Sequence, residues 1–125
     1  MEFSLSMPKD FWILESPFIV ESVDFVSVLN MVKILNATML SKMFWSFEWS
    51  ALHGSFLHYR VLLDGISIFN DVTSKPGKIE NSVKIALHSG SRVFNFQIAS
   101  QDLDDLFTIE NLKIVLEEEE EETLA

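Results

Sequence analysis

Apolar residues return at every second position from Lys42 to Ser50 (Met43, Trp45, Phe47, Trp49) and again from Phe56 to Leu63 (Leu57, Tyr59, Val61, Leu63). A period of two is the mark of a strand buried on one face. With Ile66–Asn70 these segments are expected to form a three-stranded antiparallel meander. Leu52-His53-Gly54 fits a three-residue loop with Gly54 in the left-handed region, which sets Trp49 against Leu57, Phe47 against Tyr59 and Trp45 against Val61. Asp64-Gly65 favours a two-residue type I′ turn that pairs Leu63 with Ile66 and Val61 with Ile68. The opposite face then carries Glu48 across from His58 and diagonal to Arg60, within reach of an ion pair. Phe44, Phe56, Leu62 and Phe69 point the same way, a surplus of outward apolar surface that calls for a covering segment or a partner.

The flanks read similarly. Pro8 and Pro17 break any long helix, leaving Phe11–Leu14 and Phe18–Val20 as short extended segments around a turn at Glu15-Ser16-Pro17. Val23–Leu35 is β-branched and apolar on both parities, which predicts a strand covered on both sides or one with a bulge near Leu29-Asn30; a helix through Val28–Leu35 is the competing reading. Asn36–Thr38 is a turn. The segment from Asn70 to Lys78 is the longest expected loop, with Pro76-Gly77 at the centre of a type II turn. Ile79–His88 and Val93–Ile98 suggest a second hairpin, in which a type II′ loop at Gly90-Ser91 pairs Leu87 with Phe94, Ile85 with Phe96 and Val83 with Ile98. A capping serine, first-turn acids and Leu103, Leu106 and Phe107 predict one short helical crossover near 101–107. The last strand turns Leu112, Ile114 and Leu116 inward. The expected fold is all-β, an antiparallel two-sheet β-sandwich of about eight strands, jelly-roll-like. Residues 1–22 are read as an N-terminal arm, 23–116 as the sandwich domain and 117–125 as an acidic disordered tail.

Composition narrows the function. At 125 residues one core is feasible, and without cysteine it has neither disulfides nor thiolate metal sites. Six of the acids behind the net charge of −10 form the run Glu117–Glu122, and the rest of the chain carries −4. Nine basic residues scattered over an acidic chain do not make a phosphate-binding surface, so nucleic acid is not an expected partner. No stretch is apolar enough to cross a bilayer, and no membrane partner is expected. The first residues lack a basic n-region and a long apolar stretch, so cytoplasmic synthesis without a signal peptide is expected, with a virion as one candidate destination.

Two short stretches carry a resemblance. Thr108-Ile-Glu-Asn-Leu-Lys-Ile-Val-Leu116 resembles the final strand of galactose-binding-like and carbohydrate-binding-module jelly rolls, which run Ile-Asp-Asn-Val before alternating apolar residues. Tyr59-Arg-Val-Leu-Leu-Asp-Gly65 is similar to strands of phage tail-fibre heads and tumour-necrosis-factor-like jelly rolls. Both imply a jelly roll among sandwiches, and neither carries a binding residue over to this chain.

Candidate chemistry is sparse. His53, His58 and His88 lie apart in sequence with no paired-ligand spacing, so no metal or other cofactor is expected. Ser89-Gly90-Ser91 is not a nucleophile elbow, and Glu48 beside His58 lacks a nucleophile or oxyanion donors, so the chain is not expected to be an enzyme. Asn70, Asp71 and Thr73 of the polar loop suit either calcium coordination or hydrogen bonds to a sugar, without the Asp-x-Asp-x-Asp-Gly spacing that marks a calcium loop, and with Trp12 they are the candidate ligand-binding set; Trp45 and Trp49 are expected in the core. The leading expectation is a non-catalytic structural or assembly module, a small phage or viral particle component or a homo-oligomer subunit, with Phe44, Phe56, Leu62 and Phe69 as its interface. The alternative is a carbohydrate- or ligand-binding β-sandwich module.

Overall fold

Nine strands follow one another in the computed structural model: β1 (Lys9–Leu14), β2 (Phe18–Val20), β3 (Val26–Leu35), β4 (Met39–Ala51), β5 (Leu57–Leu63), β6 (Ile66–Thr73), β7 (Gly77–Leu87), β8 (Gly90–Ser100) and β9 (Phe107–Glu118). The structure describes residues 9–14, 17–20, 24–54, 56–100 and 105–118. They form two antiparallel sheets. The first runs β1-β9-β4-β7, with β2 beside the other end of β9, and the second runs β3-β8-β5-β6. From β2 onward every connection except the β5–β6 hairpin carries the chain from one sheet to the other, which is the winding of a jelly roll.

Outside β6 the apolar parity of the strands is as expected; two of the three expected hairpins are not. β4 lies in the first sheet and β5 in the second, so Trp45 and Phe47 meet Tyr59 across the core rather than beside it in a ladder. The reason lies in the connection. Leu52 N–H donates to the Leu106 carbonyl at 2.9 Å and His53 N–H to Asp105 Oδ1 at 2.8 Å, which fastens this loop to the lead-in of β9 and sends β5 to the facing sheet. Gly54 does adopt a positive φ of 75°. Likewise β7 pairs with β4, setting Leu87 against Met39, while β8 pairs with β3 and β5, setting Phe94 against Met31 and Leu63. Gly90 therefore opens a crossing between sheets, not a II′ hairpin. A strand with one apolar face buries it equally well beside a partner or opposite one, so period two fixes the face and not the neighbour.

The β5–β6 turn is the one predicted hairpin that forms. Asp64 and Gly65 have φ of 49° and 83°, and Leu63 pairs with Ile66. A bulge then shifts the register, so that Val61 meets Phe69 instead of Ile68. That turns Phe69 inward, its ring 4.7 Å from Trp45 and 5.7 Å from Tyr59. β3 is a strand throughout, with its bulge between Ser27 and Leu29, next to the expected place. Asn70–Thr73, expected in a loop, extend β6, and Gly77 and Lys78 begin β7, because both strands outrun the turn formers at their ends. Of the helix expected near 101–107, residues 101–104 lie outside the described residues, Asp105 and Leu106 have no regular structure, and Phe107 opens β9. β9 continues through Glu117 and Glu118, the first two residues read as tail.

The core is aromatic. Tyr59, Phe47, Phe94, Phe96 and Phe107 are fully buried, with Trp45 and Trp49 beside them as expected. Tyr59 stacks on Phe96, meets Phe47 edge-on and accepts a hydrogen bond from Trp45 Nε1 at 3.2 Å. Each such ring contributes about 1.5–3 kcal/mol through burial alone. Asn111 has a φ of 54° and sits in a bulge where Ser46 pairs with Lys113 but Glu48 pairs with Glu110. The Ile-Glu-Asn-Leu phrase thus has a local cause, since asparagine tolerates the left-handed region that a bulge imposes.

Candidate functional site

The outer face of the second sheet holds the densest array of uncharged polar side chains at strand positions. Strand pairing sets Ser27, Gln97, Arg60 and Asn70 side by side across β3, β8, β5 and β6, and the next row is Asn30, Asn95, Leu62 and Ser67. At ordinary strand spacing each row spans ~14 Å. Ser27 Oγ donates to Asn95 Oδ1 at 2.9 Å, and Arg60 Nε donates to Gln97 Oε1 at 2.8 Å. His58 Nε2 donates to Asn70 Oδ1 at 3.1 Å, and the Asn70 amide donates in turn to Ser67 Oγ.

One aromatic ring stands over this array. Phe25, just ahead of β3, meets His58 edge-on at 4.7 Å between centroids and lies 3.8 Å from Arg60 Cζ. The guanidinium is thus held by a ring on one side and an amide on the other. No Asp or Glu occupies an outward strand position of this face among the described residues, whereas Asp71 of β6 points inward against Tyr59. Burial holds the Tyr59 phenol above its ordinary value, and the Asp71 charge pushes the same way; the hydrogen bond from Trp45 pulls it partly back.

The sequence-predicted residues are dispersed by the crossing of strands. Glu48 lies on the outer face of the first sheet, where Asn111 Nδ2 donates to it at 2.6 Å, so it forms no pair with His58 or Arg60 on the other sheet. Phe44 sits on that first-sheet face beside Ser82 and Val115, Leu62 on the second-sheet face, Phe56 exposed ahead of β5, and Phe69 in the interior. The four do not form one patch. Trp12 packs half-buried on the core, paired with Ile114. Asp71 and Thr73 face inward and Asn70 outward, since neighbouring strand residues alternate; only Asn70 belongs to the amide face. Arg60 and His58 stand out in the sequence as outward residues of β5. Ser27, Asn30, Asn95 and Gln97 were missed, although Asn95 and Gln97 alternate with Phe94, Phe96 and Ile98, a signal that a strand turns amides to one side.

No family model matches the sequence, and the search of curated proteins gave no match. Solved structures share the fold. Dimeric latent PorU from Porphyromonas gingivalis aligns over 89% of this chain with a TM-score of 0.57 and 12% identity; the match spans 13% of the PorU chain. The CBM36-1 domain of a multidomain xylanase from the hindgut metagenome of Trinervitermes trinervoides aligns over 87% of this chain and 90% of its own, with a TM-score of 0.52 and 12% identity. A carbohydrate-binding module, CBM36, in complex with calcium and xylotriose aligns over 91% of this chain and 94% of its own, with a TM-score of 0.51 and 9% identity. At such identities the likeness is one of fold: this chain is a jelly-roll β-sandwich of the shape adopted by carbohydrate-binding modules.

Proposed function

We propose that this chain is a non-catalytic carbohydrate-binding β-sandwich module whose glycan lies along the outer face of the second sheet. The observation that carries the reading is the composition of that face: Asn30, Asn70, Asn95, Gln97, Ser27 and Ser67 with no carboxylate among them. A sugar presents neighbouring hydroxyls that both donate and accept, and a primary amide matches them with two donors and an acceptor. A merely solvated face is usually built from Lys and Glu, which hold more water and cost more side-chain entropy to order. Two same-sized modules of like fold support the reading, one of them bound to xylotriose. That complex also holds calcium. Among the described residues of this chain no group of three His, Asp or Glu is placed to bind a metal ion. The test is affinity electrophoresis or calorimetry of the full chain against neutral and acidic plant and bacterial oligosaccharides. Binding that disappears in the folded Asn95→Ala, Gln97→Ala double variant is expected; a full panel without binding refutes the reading.

A second reading, a structural module that packs on copies of itself or on another subunit, is favoured by a different feature from the one expected. Edge strands β1 and β3 leave Phe11, Ile13, Val32 and Ile34 more than half exposed along one side of the sandwich, where Asp10 and Lys33 form an ion pair at 2.6 Å between the two edges. Long apolar edges invite pairing with another chain. Mass in solution by light scattering decides this, and a strict monomer at high concentration counts against it.

A further inference from the structure

Arg60 is the one permanently charged side chain at a strand position of the amide face, and among the described residues no carboxylate pairs with it. This is unusual for the chain. Asp and Glu outnumber Lys and Arg by 19 to 9, and other cations are engaged: Lys33 with Asp10, Lys78 with Glu80, Arg92 with Asp64, and Lys42 and Lys113 over the rings of Phe44 and Phe11. Arg60 is instead held by groups that fix its position without neutralising it. Gln97 takes its Nε at 2.8 Å, and Phe25 lies 3.8 Å from Cζ. Both contacts leave the charge intact, and the two terminal nitrogens make no hydrogen bond among the described residues. A planar, always-ionised fork that is already ordered loses little freedom on meeting a planar anion.

Resting on the glycan-binding reading, we infer that the ligand of this face is a carboxylated glycan, a uronate-bearing chain, and that Arg60 takes the carboxylate while the surrounding amides and serines take the ring hydroxyls. The single cation fits a ligand with one carboxylate at the centre of the bound stretch. Asn70 and Ser67 lie to one side of Arg60 along the rows, and Gln97, Asn95, Ser27 and Asn30 to the other, so sugars extending in both directions meet neutral partners. A densely anionic polymer is disfavoured by a chain of net charge −10.

The experiment compares uronic-acid oligosaccharides with their methyl esters, which differ only in that charge, by calorimetry on the full chain. The acid form is expected to bind about tenfold more tightly or better, with the difference shrinking as salt rises. Arg60→Gln, shown folded by circular dichroism, is expected to bind acid and ester alike, and Arg60→Lys to recover only part of the preference because it lacks the fork. Equal binding of acid and ester by the native chain overturns the inference and leaves the glycan-binding reading standing. No binding of either form, with neutral oligosaccharides also unbound, overturns both. An acidic peptide that displaces the uronate at equal concentration assigns the site to a protein carboxylate and overturns the inference as well.

Discussion

The two outer faces of the sandwich have the same backbone geometry and opposite surface chemistry. On the first sheet Lys42, Lys78, Lys84 and Lys113 are interspersed with Glu48, Glu80 and Glu117, and Phe44 and Phe11 lie under lysine ammonium groups. That is a mixed-charge surface in which each group has an exchangeable neighbour, and such pairs contribute little individually. A shallow depression of about 510 Å³, lined by Phe44, Ser46, Glu80, Ser82, Lys113 and Val115 among others, opens there. The outer face of the second sheet has no acid at a strand position among the described residues, concentrates amides and ties them into hydrogen bonds across strands. The difference separates a face of ordinary solvated charge from the face proposed to bind a ligand. Two faces of one core need the same apolar interior, so only their outward positions are free to diverge.

Binding should separate the faces most sharply. Gln97→Ala with Arg60→Ala is expected to lower glycan affinity at least tenfold, while Lys42→Ala with Glu80→Ala leaves it unchanged; calorimetry on both variants checks this, and equal losses erase the contrast. Stability should show the next effect. Asp64 accepts from Arg92 Nη1 and from Val93 N–H, both at 2.9 Å, and its own N–H donates to the Val93 carbonyl at 2.8 Å, so the β5–β6 turn is fastened to β8. Asp64→Ala is expected to cost about 2–3 kcal/mol in denaturant unfolding. On the first sheet Asn111→Val, forced into φ 54°, should cost about 1–2 kcal/mol, whereas Asn111→Gly should be nearly neutral. Similar values for valine and glycine would remove the bulge from the account.

The core common to both faces offers a pH test. Tyr59 is the chain's only tyrosine, and its folded pKa is raised above 10.0 chiefly by burial. The unfolded chain therefore loses the phenol proton first. The Tyr59 contribution is fully present below about pH 10 and is lost as pH climbs through the raised value. Tyr59→Phe should flatten that alkaline decline, read as the slope of unfolding free energy against pH, and phenolate absorbance should lag behind that of free tyrosine. The smallest effect belongs to the first sheet's solvated rim. Lys78→Ala, which breaks the exposed 3.1 Å contact with Glu80, should change stability by no more than about 0.5 kcal/mol.

Local chemistry determined much by itself. The alternation in Met43-Trp45-Phe47-Trp49 and in Leu57-Tyr59-Val61 gave the inward face of both strands, because side chains on a strand alternate whatever lies alongside. Asp64-Gly65 specified its own turn, since few other residue pairs hold two successive positive φ angles. Partner choice was decided only by the tertiary structure. Whether β4 lies beside β5 or opposite it depends on where the Leu52–His53 loop is fastened, and the acceptors are Leu106 and Asp105, more than fifty residues away. The bulge that turned Phe69 inward has no signature in Ile66–Asn70, because bulge and regular ladder differ by one residue of register that apolar alternation alone does not fix there. The amide face was invisible for the same reason. Its members come from β3, β5, β6 and β8, and Ser27 stands beside Gln97 and Arg60 beside Asn70 only once the chain has wound between two sheets.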